Sequence, residues 1–227
     1  MFAKLSICAG VIALAMGAAG ITASAATTAG SVTFQDDTTA TAPVDPTNPV
    51  NPQTPADPNN PATGNTGTLT LDVAPAAIAF GTVTTSNAAK TYQATGTYNQ
   101  YLQISDKRTT ANGWQVNVKQ DHALTDTSSG YVLTGAVIHL PQGTARNSLN
   151  TPATVADPNI TVTTGGVGVT TSDQVVVAAP NQAGVGKAVS TDTWVANAVT
   201  LTVPKLTAKV GNYTNTLTWT LTAAVGS

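Results

Sequence analysis

The chain is poor in almost everything that usually carries reaction chemistry. Only 9% of its 227 residues are charged, against about 25% in an ordinary soluble domain. Glutamate is absent, histidine occurs twice and cysteine once. His122 and His139 have too few companions to assemble a structural zinc set. Formal net charge is −2, and the nine Lys and Arg residues are scattered. Capture of nucleic acid or of an anionic lipid surface needs clustered positive charge, so both partners are excluded.

Catalytic motifs are equally thin. Asp121-His122 precedes Ser128 and Ser129, but no nucleophile-elbow sequence accompanies them. Gly165-Gly166-Val167-Gly168 lacks the lysine and hydroxyl residue of a phosphate loop. Gly184-Val185-Gly186-Lys187 is followed by Ala188, with Asn181 where the first glycine belongs. Asp72, Asp106, Asp121, Asp126, Asp157, Asp173 and Asp192 are dispersed, most in turn-like settings where Asp caps backbone. The sequence reads as non-catalytic, with no cofactor and no metal.

What the chain does have is a leader, a proline-rich stretch and many alternating segments. Lys4, the apolar run from Leu5 to Ile21 and Ala23-Ser24-Ala25 form an export signal over residues 1–25. The run is short for a bilayer and rich in Ala and Gly, so cleavage before Ala26 is expected and no membrane span remains. Cys8 leaves with the leader, and a mature chain without disulfides suits export from a Gram-positive bacterium. In residues 26–37, Ser31-Val32-Thr33-Phe34 is a candidate lone strand that docks on the later domain. Residues 38–66 are Pro, Asn, Asp and Thr, with prolines every third position from Pro43 to Pro61. That period matches polyproline II and predicts an extended, solvated linker.

From residue 67 to 227 the period is two. Leu69, Leu71 and Val73 alternate with polar residues, as do Leu102 and Ile104, then Trp114, Val116 and Val118. Ala136, Ile138 and Leu140 follow the same rule, and so do Val199, Leu201 and Val203. In the last strand, Tyr213, Asn215, Leu217, Trp219 and Leu221 share one face and threonines fill the other. The expected fold is all-β: a single β-sandwich, or a closely related barrel. Residues 143–189 should hold strands joined by long loops.

Three ordered motifs resemble the WxL domain of Gram-positive surface proteins. They are Leu69-Thr70-Leu71-Asp72-Val73-Ala74-Pro75 with Ile78-Ala79-Phe80-Gly81; Ile104-Ser105-Asp106-Lys107-Arg108 leading to Gly113-Trp114-Gln115-Val116-Asn117-Val118; and Val199 to Pro204 followed by Tyr213 through Trp219-Thr220-Leu221. The leader, Val44-Asp45-Pro46 and Leu133-Thr134-Gly135-Ala136 are also similar. Val116 departs from the family's leucine, and the final residues lack a proline often seen there. The resemblance implies a non-enzymatic protein attached non-covalently to peptidoglycan or an associated wall glycan. It also implies assembly with other WxL proteins and membrane-anchored WxL-interacting proteins. The last residues carry no LPxTG-type sorting signal, in keeping with non-covalent attachment.

Alternation places Trp114, Val116, Trp219 and Leu221 inward, as mainly structural residues; the alternative is that the tryptophans floor a shallow groove. Tyr98, Tyr101 and Tyr213, together with the Thr faces, are candidate contacts for glycan hydroxyls. Trp194 beside Val195 reads as loop-like and exposed, hence another candidate contact. Asp106 and Arg108 are expected to pair at the surface before Trp114, open to a role in recognition.

Overall fold

The computed structural model describes residues 26–110 and 113–223. The leader, with its cleavage site and Cys8, lies outside the described residues, as do the last four positions. The chain divides after residue 34: residues 35–227 form one compact unit, and of the residues before it only 26–34 are described. Residues 26–34 include no strand, so the expected lone strand at Ser31–Phe34 is not formed.

The second unit is an all-β sandwich. Its strands are β1 (Leu69–Val73), β2 (Lys90–Gln93), β3 (Asn99–Asp106), β4 (Trp114–Gln120) and β5 (Thr125–Asp126). Next come β6 (Val137–Leu140), β7 (Thr144–Asn147), β8 (Thr161–Val162), β9 (Val167–Gly168) and β10 (Gln174–Ala179). The series ends with β11 (Ala188–Val195), β12 (Thr200–Val203), β13 (Tyr213–Thr214) and β14 (Leu217–Ala223). One 3-10 turn, Ala196–Ala198, links β11 to β12.

Every strand pairing is antiparallel. Three four-stranded sheets run β1-β3-β11-β7, β14-β4-β10-β8 and β2-β12-β6-β9, and β13 pairs with β5. Their inward residues meet in one core. Leu71, Leu102, Ile104 and Trp194 come from the first sheet, Trp114, Val116, Val118 and Val177 from the second, and Ile138, Leu140, Leu201 and Val203 from the third. The final alternating run is broken at Asn215-Thr216: Tyr213 belongs to β13, opposite Asp126, while β14 pairs with β4.

The proline-rich stretch is not a solvated spacer. Residues 43–62 fold back as a strap over the outer face of the β1-β3-β11-β7 sheet. Val44 bridges to Pro52 and Ala62 to Val73. The Val44 N–H donates to Gln103 Oε1 at 2.8 Å, and the hydroxyls of Thr191 and Thr193 donate to the Pro46 carbonyl. Asn60 is buried; its amide donates to the Asn99 carbonyl and its oxygen accepts from the Tyr101 N–H. The physical reason is a repeated Asp-Pro turn. Asp45 accepts from the Thr47 N–H at 2.8 Å and Asp57 from the Asn59 N–H at 2.9 Å, bending the chain where proline spacing alone would keep it straight. The same device recurs at Asp157 and Asn159.

Candidate functional site

The two tryptophan motifs are neighbours in one sheet. In the β4–β14 register Trp219 lies opposite Val118, Leu221 opposite Val116 and Ala223 opposite Trp114. Trp114-Gln115-Val116 and Trp219-Thr220-Leu221 therefore run in opposite directions on adjacent strands and meet at the Val116–Leu221 pair, with their apolar residues on the core side.

Trp114 is fully buried and donates its indole N–H to the Gly186 carbonyl at 3.0 Å. Glycine is needed on both sides of this ring. Gly113 has φ +59°, and a side chain there would strike the Ala179 carbonyl; a side chain on Gly186 would strike the indole itself. Trp219 sits on an edge strand and is only half-buried, packed against the core with its ring centroid 6.2 Å from that of Trp194.

The chain leading into Trp114 is shaped by a buried ionic cluster. Asp106 is 2% exposed and accepts from Arg108 Nε and Nη2, both at 2.9 Å, with Lys187 Nζ at 3.3 Å. Arg108 also donates to the Gly113 carbonyl, and Lys187 to the carbonyls of Arg108 and Thr110. Burial works to raise the Asp106 carboxyl, but the Arg108 hydrogen bonds and the charges of Arg108 and Lys187 outweigh it and hold it below the ordinary value.

A half-open cleft of about 790 Å3 lies elsewhere on the domain. One wall is residues 78–85, which include the Ile78-Ala79-Phe80-Gly81 motif; the other is residues 208–215. The floor is apolar, formed by Tyr92, Leu124, Leu133, Ile138, Leu201 and Val203. Thr82, Thr84, Thr85, Asn212 and Asn215 supply neutral polar groups, and Lys209 is the charged residue among those lining it. Lys209 rests over the Tyr131 ring at 4.0 Å, which anchors it beside the opening. A cleft of this make-up suits a neutral ligand with hydroxyl, amide and methyl groups rather than a polyanion.

A family model described as WxL domain, surface cell wall-binding, matches residues 22–224. The chain belongs to the WxL family. It is thus a cell-surface protein of a wall-binding family. No curated protein and no solved structure matches the chain. Among the described residues of this WxL chain, no helix is long and apolar enough to cross a membrane, and no three His, Cys, Asp or Glu residues come together as a metal cluster.

The structure does not gather the expected contact residues into one site. Trp194 is in β11, 5% exposed, and donates to Gln100 Oε1 at 3.2 Å; it is no loop contact. Tyr101 does point away from the apolar core, but the strap covers it completely and no ligand reaches it there. Its hydroxyl has no hydrogen-bond partner among the described residues, and burial, aided by Asp57 and Asp45, pushes its pKa up to about 12. Asp106 is buried rather than at the surface, and Arg108 is committed to it. Tyr98 stays partly exposed near the start of β3, away from the cleft lining. Tyr213 alone lines the cleft, where its ring meets Tyr131 edge-on and its hydroxyl donates to the Lys209 carbonyl. Sequence reading missed the wall at residues 78–85. Its signal was present in the Ile78-Ala79-Phe80-Gly81 motif, but irregular backbone gives no period to read.

Proposed function

We propose that this WxL chain is a secreted, non-enzymatic protein of a Gram-positive surface that attaches non-covalently to peptidoglycan, with the glycan seated in the cleft between residues 78–85 and 208–215. The carrying observation is a neutral, apolar-floored cleft on a member of a wall-binding family. N-acetyl and lactyl methyl groups fit the apolar floor, and sugar hydroxyls and amides meet the Thr and Asn groups of the walls. A single lysine makes the cleft a poor match for anionic teichoic acid. Assembly with other WxL proteins and with membrane-anchored WxL-interacting proteins belongs to the same reading, supported by the family.

Sedimentation with washed walls tests it. The protein should pellet equally with intact and teichoic-acid-free walls. Val83→Arg, which places a large charge on the exposed rim of the cleft, should lower recovery at least about fivefold without moving Tm. Protein remaining in the supernatant with both preparations overturns wall attachment. V83R pelleting like the unmodified protein overturns the cleft as the site.

A further inference from the structure

We infer that the segment around residues 31–34 of one molecule adds as a strand to the free edge of β14 in a second copy of the chain. The inference goes beyond wall attachment and does not rest on it.

β14 ends its sheet, since the order is β14-β4-β10-β8 and β14 pairs with β4 alone among the described residues. An edge strand presents a row of backbone N–H and C=O groups to whatever can pair with them, and soluble proteins usually blunt such edges with Lys, Pro or a bulge. β14 has none of these. Leu217-Thr218-Trp219-Thr220-Leu221-Thr222-Ala223 is uncharged, without Pro or Gly, and its register against β4 is regular throughout. Its half-buried Leu217, Trp219 and Leu221 leave apolar surface at the rim of the core.

The chain itself supplies a matching strand. Residues 26–35 carry no charged side chain and have no secondary structure, and Val32 and Phe34 are 74% and 87% exposed. Val32 and Phe34 alternate with Ser31 and Thr33, the same apolar-hydroxyl alternation that β14 displays. The first fixed points after this segment are Asp37, 3.1 Å from Lys107 Nζ, and Thr38, whose carbonyl accepts from the Gly67 N–H. Eleven residues precede Asp37 after the expected cleavage point, a reach of about 36 Å when extended. Neither partner strand has a charge to desolvate, so backbone pairing and apolar burial both favour addition. With Val32 and Phe34 extending the core side, Thr33 falls on the threonine side beside Thr218, Thr220 and Thr222. Segment and edge are different surfaces, so the contact is head-to-tail and builds rings where the rotation between copies closes and open chains where it does not.

Two single-cysteine proteins test this, Thr33→Cys and Thr222→Cys, each purified as the exported protein, after loss of Cys8 with the leader, and with a tag of different size. Mixed and treated with a short bis-maleimide, they should give the T33C–T222C heterodimer at least about tenfold above either homodimer. Adding Val32→Lys and Phe34→Lys to the T33C protein should remove the heterodimer without changing Tm. A protein carrying both cysteines should give a ladder of oligomers. Absence of the heterodimer, a product unaffected by V32K/F34K, or linkage of the double variant only within single chains each overturns the inference.

Discussion

Asp192→Asn should stabilise the domain at pH 8 and destabilise it at pH 4. Asp192 lies mid-strand in β11, between Leu102 of β3 and Ala145 of β7, and is 1% exposed. Neither carboxylate oxygen has a well-formed hydrogen bond among the described residues. Gly143 backs onto the carboxylate so closely that any side chain there would collide with it. Burial pushes its pKa from 3.8 up to about 7, opposed only weakly by the Thr193 N–H and by Arg146. Below about pH 4 the folded and unfolded chains both hold this proton. Between 4 and 7 the unfolded chain releases it while the folded chain keeps it, so stability falls as pH rises, and above 7 the loss is complete. At about 1.4 kcal/mol per pH unit the ceiling is about 4 kcal/mol. A buried asparagine amide without partners costs about 1–3 kcal/mol, leaving a net gain near 2 kcal/mol at pH 8. For a domain of this size that raises Tm by about 4–8 °C. Asp37, Asp106, Asp121 and Asp126 are all held below their ordinary values, so the stability they contribute is lost only as pH falls below about 4. The window from 4 to 7 is therefore left mainly to Asp192, with Asp72, raised by burial, acting in the same sense. The assay is urea unfolding of both proteins at pH 4, 6 and 8. Equal pH slopes for the two, or an Asp192→Asn protein weaker at pH 8, refutes the reasoning.

Two further substitutions probe the parts of the domain built from polar groups. Asp106→Asn leaves Arg108 and Lys187 facing a neutral amide in a buried site, and should cost about 2–4 kcal/mol by denaturant unfolding at pH 7; that penalty should shrink as pH drops through the depressed pKa of Asp106. Asn60→Ala removes two of the hydrogen bonds by which the strap holds β3, at a cost of about 1–3 kcal/mol, and limited proteolysis should then cut within residues 43–62 at rates at least about tenfold faster.

The sheets were legible because one rule, apolar residues at every second position, holds wherever one face meets the core. Leu102 and Ile104, Val116 and Val118, Leu201 and Val203 all obey it and all pack together. The β1-β3-β11-β7 sheet hides this signal on β11. Ser190, Thr191, Asp192 and Thr193 are all buried there, because the strap covers the outer face and polar groups fill both sides. A strand buried among polar partners looks like a loop in sequence, which is why Trp194 read as exposed. Tyr101 alternates with Leu102 and so faces away from the core; what hides it is a cover drawn from residues about forty positions earlier. Proline at every third position favours polyproline II locally, yet Asp at positions 45 and 57 accepts a backbone N–H two residues on and closes a turn instead. The ambiguity is between two local rules, and the contacts that decide it are long-range.

The same long-range logic explains why two short tryptophan motifs, over a hundred residues apart, mark a single structural unit. Trp114 enters the core only if the chain turns sharply at Gly113, and the buried Asp106, Arg108 and Lys187 cluster fixes that turn. β4 then offers Val116 and Val118 to Leu221 and Trp219. The first motif is central in its sheet, with β10 and β14 on either side, and its tryptophan is sealed; the second is at the edge, and its tryptophan is not. Identical letters therefore carry unequal duties. Trp114 is a fixture of the core, whereas Trp219 lies where one more strand would complete its burial.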